Sequence, residues 1–352
     1  MNLRKLFLFW VVALTATFSS AAELPKVVIL GTGGTIQSKG ANRMVRYDYK
    51  AGRYDISELV AMIPELNKIA RIEASQFTNI GSPSMTPEIW KGLAEKINSL
   101  AESDPSIAGF VITHGTNTLE ETAFFLHLTV KTDKPVIVVG AQRPTTAISA
   151  DGPLNLYMAV QVAITPDARG KGVMICMNQQ INSAREGTKT SAYKVEAFNS
   201  RDLGFLGVVD PDRVTFYRAP IRRNTFMSEF DISKIASFPR VDMIDSYAAA
   251  PADLIDFVVG AGAKGIVLSG HGAGGSSPEQ VKAFKAAVQK GVAVVAATRT
   301  GSGRVIETEQ MQTDGVVAAD NLSPQKARIL LMLAIASGKT SVEELRRIFD
   351  QY

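Results

Sequence analysis

Threonines lie in two glycine-containing segments that directly follow short apolar runs. Thr35 closes GTGGT at residues 31–35, and Thr116 lies within THGTNT at residues 113–118. A third segment of this kind, GAQRP at residues 140–144, also follows an apolar run. Ligands of open parallel sheets bind beyond the carboxyl ends of the strands, so we expect the three segments to meet at one site. The chemistry they favour is that of hydroxyl nucleophiles.

The first segment resembles nucleotide-binding loops only superficially. A dinucleotide fingerprint needs a third glycine where Ile36 stands, and a phosphate-binding loop needs Gly-Lys-Ser/Thr where residues 36–38 read IQS. The glycines instead let backbone approach a ligand closely while Thr35 offers its hydroxyl. The alternative interpretation is a glycine-rich strand end whose threonine bonds to local backbone.

Histidine and metal chemistry have little support in the sequence. His114 is the tempting general base, but neither a Ser-His-acid order nor a Gly-x-Ser-x-Gly elbow accompanies it, so we predict a structural role. His127 and His271, the other two histidines, lack metal-ligand spacing. The sequence therefore predicts no metal and no cofactor.

A hydroxyl nucleophile without histidine needs another proton acceptor. A lysine of lowered pKa or a tyrosine can serve in a site closed to water. The candidates are Lys189, in a polar loop, and Tyr49, in the lid segment, which we define as residues 37–54. This segment is long, polar and glycine-bearing, as is typical of a lid. Its five basic residues could attract an anionic substrate, although a solvated loop is the ordinary interpretation.

Alternating strand and helix patterns must position these residues. Apolar runs typical of strands occupy residues 26–32, 107–113, 135–140, 241–245, 265–269 and 292–296. Amphipathic stretches typical of helices occupy residues 86–100, 118–128, 153–164, 324–335 and 341–349. The alternation predicts an α/β protein whose larger N-terminal domain has a mostly parallel sheet with helices on both faces, followed by a smaller C-terminal α/β domain. We predict an N-terminal domain at 23–212, a linker at 213–239 and a C-terminal domain at 240–352.

The amino terminus has the pattern of a secretory signal peptide. Arg4 and Lys5 precede an apolar run at residues 6–18, and small residues follow at 19–22. We predict cleavage after Ala21 or Ala22 and a periplasmic mature protein. The alternative is a membrane anchor, but the run is short for the ~20 apolar residues that span a bilayer.

Charge and cysteine content narrow the classes of function. The chain has 38 basic and 34 acidic residues, and two of the basic residues lie in the predicted signal peptide. A nearly neutral mature chain is not typical of a general nucleic-acid binder or of a membrane-surface protein. Cys176, the single cysteine, lies in an apolar run and is predicted to be buried, so no intramolecular disulfide can form.

Seven segments, in order along the predicted mature chain, carry a resemblance to one family. They are residues 30–36, 79–82, 112–121, 140–144, 149–156, 188–190 and 322–328. Together they resemble the bacterial L-asparaginase and glutaminase-asparaginase family, in its exported type II branch. The resemblance spans essentially the whole mature chain, and it implies an amidohydrolase that hydrolyses the side-chain amide of asparagine, glutamine or a related compound.

The resemblance also implies roles for individual residues. Thr35 would attack the amide carbon and form an acyl-enzyme, with Tyr49 supporting it from the lid. Thr116 and Lys189 would be the second hydroxyl and its proton partner. Ser82 would hold the substrate α-carboxylate, together with backbone near Thr116.

Further implications concern the oxyanion and assembly. The backbone N–H of Ala141 would stabilise the developing oxyanion. The family forms homotetramers of intimate dimers, in which the neighbouring C-terminal domain completes each site with a glutamate. Glu307 or Glu309 is the matching residue here.

Three positions depart from the family pattern. Asn117 replaces an aspartate, Pro83 replaces a glutamine, and Gly275 follows a turn that usually carries an asparagine. The aspartate and glutamine contact the substrate ammonium in the family. Two hypotheses therefore stay open, an amidohydrolase and a catalytically weak or silent periplasmic protein that binds an amino-acid-like ligand. Ammonia release, or binding without it, would discriminate them.

Overall fold

The computed structural model describes residues 23–352, and the predicted signal peptide at residues 1–22 lies outside them. The N-terminal domain contains ten strands. They are β1 (Lys26–Gly33), β2 (Arg71–Ile80), β3 (Ile107–Thr113), β4 (Val136–Val139), β5 (Val173–Met177), β6 (Gln180–Ser183), β7 (Thr188–Lys189), β8 (Phe198–Asn199), β9 (Gly207–Val209) and β10 (Val214–Phe216).

Eight of these strands form one mixed sheet in the order β10-β9-β6-β5-β4-β3-β1-β2. The five strands from β5 to β2 are parallel, and the ladders from β5 to β10 are antiparallel. β7 and β8 pair separately. Because β1, β2, β3 and β4 run in one direction, the loops that follow them lie along one edge of the sheet.

Helices cover both faces of this sheet. They are α1 (Ile56–Ala61), α2 (Leu66–Ile69), α3 (Pro87–Ser103), α4 (Leu119–Thr129) and α5 (Gly152–Ile164). Residues that alternate along a strand divide between the faces: Val28 belongs to the core that includes α3 and α4, and Val27 to the core that includes α1, α2 and α5. Thr86 is the N-cap of α3, because its hydroxyl accepts a hydrogen bond from the backbone N–H of Ile89.

The C-terminal domain is a smaller parallel sheet with helices. Its elements are β11 (Val241–Asp245), α6 (Asp253–Gly260), β12 (Gly265–Gly270), α7 (Pro278–Gln289), β13 (Ala293–Thr298), α8 (Glu309–Asp314), β14 (Val316–Ala318), α9 (Pro324–Ala336) and α10 (Val342–Gln351). The strands keep their chain order across the sheet. The predicted fold class is confirmed.

One hydrophobic core runs through both domains. It contains Phe124 and Phe125 of α4 together with Leu330 and Leu333 of α9, all fully buried. Helix α4 is therefore apolar around most of its circumference, because it is covered by the sheet on one side and by α9 on the other. Leu119, at the start of α4 after β3, belongs to this shared core, whereas Ile36, in the turn after β1, packs in the core on the other face of the sheet.

The boundary of the predicted linker differs from the structure. β10 lies inside the predicted linker at 213–239, but it pairs with β9 and so belongs to the N-terminal sheet. Three residues are too few to produce a recognisable hydrophobic period, which explains the difference. Among residues 23–352, no helix is both long and apolar enough to cross a membrane.

Candidate active site

Close packing between glycines brings the three threonine- and serine-bearing loops together. Gly34 has a φ of 81°, and a Cβ there would lie 2.3 Å from the Cα of Gly115. A Cβ on Gly115 would lie 2.9 Å from the Ser82 hydroxyl. Side chains at these two positions would force the loops apart. The glycines thus allow Thr35, Ser82 and Thr116 to line one cavity.

Gln37 holds the turn that carries Thr35. Its fully buried side chain accepts hydrogen bonds from the Gly33 N–H, at 2.8 Å, and from the Thr113 hydroxyl, at 2.9 Å. Its amide donates to the Tyr54 carbonyl and to Gln76. A buried amide with all these partners ties the first turn to β3 and to the lid segment.

Thr35 and Tyr49 form the first hydroxyl pair. Their oxygens lie 2.8 Å apart, and either group can donate. Thr35 belongs to a short 3-10 turn directly after β1, whereas Tyr49 belongs to the lid segment. The lid thus supplies a polar contact to the hydroxyl proposed to react.

Thr116 and Lys189 form the second pair. The Lys189 ammonium donates to the Thr116 hydroxyl at 2.9 Å and to the Asn117 side-chain carbonyl at 3.2 Å. Burial lowers the pKa of Lys189, and the negative charge of Glu120 opposes that shift. A lysine with a lowered pKa is a better proton acceptor near neutral pH. Lys189, predicted to sit in a polar loop, lies in the short strand β7.

The C-terminal domain supports Lys189 from outside the cavity. Lys326 of α9 is 1% exposed and donates to the carbonyls of Arg185, at 2.9 Å, and Gly187, at 2.7 Å. These carbonyls lie just before β7. Burial lowers the pKa of Lys326 to about 8. The position of Lys189 therefore depends on the interface between the domains.

The cavity has a volume of about 790 Å³ and lies entirely in the N-terminal domain. Its lining includes all four predicted catalytic residues, Thr35, Tyr49, Thr116 and Lys189. Two of the predicted substrate-binding residues, Ser82 and Asn117, also line it. The structure thus brings together side chains that are far apart in the sequence.

Ala141 is fully buried, and its neighbour Gln142 lines the cavity instead. The carboxylate of Asp151 accepts hydrogen bonds from the backbone N–H groups of Gln142 and Arg143, both at 2.9 Å. Because both N–H groups donate to the same carboxylate, these two bonds hold the turn after β4 beside the cavity.

Glu307 and Glu309 do not line the cavity of their own chain. Glu307 pairs with Arg346 at 2.8 Å, and Glu309 is the exposed first residue of α8. A role for either residue therefore requires the cavity of a second subunit.

His114 and Cys176 are buried beside the site and have no access to the cavity. His114 is hydrogen-bonded to the Gly115 carbonyl and to the Thr122 hydroxyl, and burial lowers its pKa to about 4. Burial raises the pKa of the Cys176 thiol to about 12. Within residues 23–352, no group of three His, Cys, Asp or Glu side chains is placed to hold a metal ion.

Three polar residues at the site were not singled out from the sequence. Gln37 holds the nucleophile turn, and Glu120 and Gln142 line the cavity. Each lies within a segment recognised as a motif or next to one, so the loop positions were available. The sequence does not show that these three side chains are buried at the site, because the direction of a side chain depends on neighbours far away in the chain.

Comparison with known families covers both domains. Residues 26–222 match the family described as "Asparaginase, N-terminal", and residues 240–349 match the "Glutaminase/Asparaginase C-terminal domain". The first match ends beyond β10, in agreement with the pairing of that strand.

Individual proteins are similar to this chain over nearly its whole length. The chain is 43% identical to L-asparaginase 2 of Bacillus subtilis, over 96% of this chain and 89% of that protein. It is 41% identical to the probable periplasmic L-asparaginase of Haemophilus influenzae, over 96% of this chain and 97% of that protein.

A solved structure shows the same fold. The probable cytoplasmic L-asparaginase of Campylobacter jejuni superposes with a TM-score of 0.90 and 42% identity, covering 93% of this chain and 99% of that one. With both family domains matched in order, this chain belongs to the asparaginase family.

Proposed function

We propose that this protein is an amidohydrolase that converts the side-chain amide of L-asparagine, or of L-glutamine or a related compound, to the acid and ammonia. The observation that carries the proposal is the pair of threonine hydroxyls in one cavity, each with its own proton partner. Family membership supports it, as do relatives named L-asparaginase and glutaminase-asparaginase. The comparisons do not favour a silent ligand-binding protein.

In the acylation step, the Thr35 oxygen forms a bond to the amide carbon. The Thr35 proton leaves through the hydrogen-bonded hydroxyl of Tyr49, and the tetrahedral intermediate carries its negative charge on the former carbonyl oxygen. We assign the Ala141 N–H to that oxyanion. The proton given up by Thr35 is passed from Tyr49 to the amide nitrogen, so that collapse of the intermediate breaks the carbon–nitrogen bond and releases ammonia.

In the deacylation step, water attacks the Thr35 ester and restores the hydroxyl. We assign Lys189, acting through the Thr116 hydroxyl, as the base that takes a proton from this water and returns it to the Thr35 oxygen as the ester bond breaks and the acid product leaves. The lowered pKa of Lys189 supports this assignment, because more of the amine is neutral and able to accept a proton. Ser82, together with backbone near Thr116, is proposed to hold the α-carboxylate.

Ammonia release from asparagine, glutamine and their N-acylated forms tests the proposal directly. We expect multiple turnovers on at least one free amino-acid amide. Stoichiometric binding of these compounds without ammonia release would instead establish a ligand-binding protein.

Export and assembly complete the proposal. We propose an exported type II enzyme that loses residues 1–21 or 1–22, and the probable periplasmic relative supports this location. Mass measurement of protein from the periplasmic fraction should give a chain beginning at Ala22 or Glu23. A chain retaining Met1 in the cytoplasm would contradict export.

We also propose a homotetramer in which the neighbouring subunit supplies Glu307 or Glu309 to the cavity. Activity should then fall on dilution below the dissociation constant of the dimer, by mass action. A sedimentation measurement that finds a fully active monomer would contradict a shared site.

A further inference from the structure

The charges that line the active-site cavity are unequal in number. Among its lining residues, Arg46 and Lys189 are cationic and Glu120 is the single acid. Asn117 and Pro83, which also line it, are neutral. An α-amino acid amide brings a carboxylate and an ammonium into this space. The carboxylate has two cations available, whereas the ammonium has one anion in this chain.

Glu120 is buried and has unused hydrogen-bonding capacity. Its side chain, in the first turn of α4, is 8% exposed. Its Oε2 atom is buried without a hydrogen-bond partner. A buried carboxylate oxygen without a donor is unfavourable, so a donor that arrives with the ligand would be bound strongly.

The cations near Glu120 are already occupied. Lys189 donates to Thr116 and Asn117, and Lys326 donates to two backbone carbonyls. Glu121, the adjacent acid, lies close to Arg328 and does not line the cavity. The nearest lysines therefore act on Glu120 through their charge, and no direct hydrogen bond between them competes with a ligand.

We propose that Glu120 binds the α-ammonium group of the substrate and so selects amino-acid amides over amides that lack an α-amine. The inference rests on the proposed function, since it concerns the substrate of the same cavity. It makes Glu120 a specificity-determining residue and assigns it no part in bond breaking.

The test compares two substrates that differ only in the ammonium group. L-Asparagine carries it, and succinamate has the same carboxylate and the same amide without it. Glu120→Gln should lower kcat/KM for asparagine relative to that for succinamate at least about tenfold, through KM, because any effect of the lost charge on Lys189 applies to both substrates alike. Glu121→Gln is the matched control, with the same chemical change on the next residue, and should leave the ratio of the two substrates unchanged.

Other outcomes distinguish the competing roles. Equal losses for both substrates would show that Glu120 acts through Lys189 or through the fold, and would overturn the inference. So would an unchanged substrate ratio. If Glu120→Gln does not fold, Glu120→Asp, which keeps the charge on a shorter side chain, should give a smaller selective loss for asparagine.

A binding measurement separates this inference from the proposed function. Should the wild-type chain release no ammonia, calorimetry with L-aspartate and succinate still compares ligands with and without the ammonium. Glu120→Gln should then weaken L-aspartate binding at least about tenfold and leave succinate unaffected. Equal effects on both ligands would again contradict the assignment.

Discussion

The two hydroxyl pairs of the site carry similar chemistry, but their supporting regions are built differently. Tyr49, the partner of Thr35, lies in the lid segment, and the described chain forms no helix or strand between residues 38 and 55. Hydrogen bonds to its backbone hold this segment. The Arg53 N–H donates to the Gln37 carbonyl, and the Thr146 hydroxyl bonds to both the N–H and the carbonyl of Gly40. Lys189, the partner of Thr116, lies in a paired strand supported by Lys326 of the other domain.

Because of this difference, the contact between Thr35 and Tyr49 can open more easily than the contact between Thr116 and Lys189. Moving Tyr49 away from Thr35 requires the loss of a few hydrogen bonds at the surface. The backbone of Lys189 is held by the pairing of β7 with β8, and the residues just before it are held by Lys326 of the other domain. We infer that the contact between Thr35 and Tyr49 opens when substrate enters, whereas the contact between Thr116 and Lys189 stays formed.

The largest effect should come from the nucleophile. Thr35→Ala should lower kcat by about a thousandfold or more, because no other hydroxyl occupies the attacking position. The melting temperature should stay within a few degrees of wild type, since the glycines of the turn are untouched. Thr35→Ser is the matched control and should retain measurable turnover. An alanine variant that keeps a tenth of the activity would contradict the mechanism.

The next effect concerns the proton partner in the second pair. Lys189→Met should lower kcat/KM by about a hundredfold, because general acid–base catalysis is lost while packing is largely kept. The limb of the pH profile that belongs to Lys189 should disappear with it. Tyr49→Phe, the corresponding change in the first pair, should leave this limb unchanged. A limb that persists in Lys189→Met must belong to another group.

The supporting contacts should differ in their effect on stability. Lys326→Met leaves two buried carbonyls without their donor, and should lower the free energy of unfolding by about 2–4 kcal/mol and kcat by about tenfold. Thr146→Val removes the two neutral hydrogen bonds that its half-buried hydroxyl makes with the backbone of Gly40, and should lower the free energy of unfolding by about 1–2 kcal/mol. Denaturant titration and ammonia release measure both quantities. Equal destabilisation by the two variants would remove the distinction between the regions.

The smallest effect is a shift in the pH profile. Asn117→Asp places an anion where the Asn117 oxygen lies 3.2 Å from the Lys189 nitrogen, and this negative charge should raise the pKa of Lys189. The amine is neutral only above its pKa, so the corresponding limb of kcat/KM should move to higher pH. Asn117→Ala is the control and should not raise the limb. An unmoved limb in Asn117→Asp would show that Lys189 is not the titrating base.

Predicted and observed strand bounds agree where the sequence has a clear apolar run, both in the buried central strand β3 and in β11, the edge strand of the C-terminal sheet. β3 and β11 have the predicted bounds, Ile107–Thr113 and Val241–Asp245. β2 was not predicted, because this edge strand alternates between exposed and half-buried residues and contains many polar side chains. β10 was assigned to the linker because it has only three residues. Short and edge strands depend on their neighbours more than on their own pattern.

The amino-acid sequence by itself determined the fold class, the loops at the strand ends and the family, because apolar periodicity and local motifs need no distant partner. The tertiary structure alone decided which side chains meet. Lys189 lies 73 positions from Thr116 in the chain yet donates to its hydroxyl, and Glu120 contributes the only acid of the cavity lining. These contacts depend on the close approach of Gly34 to Gly115 and on the support of Lys326 across the domain interface. Both arise from packing between segments far apart in the sequence, which no local pattern records.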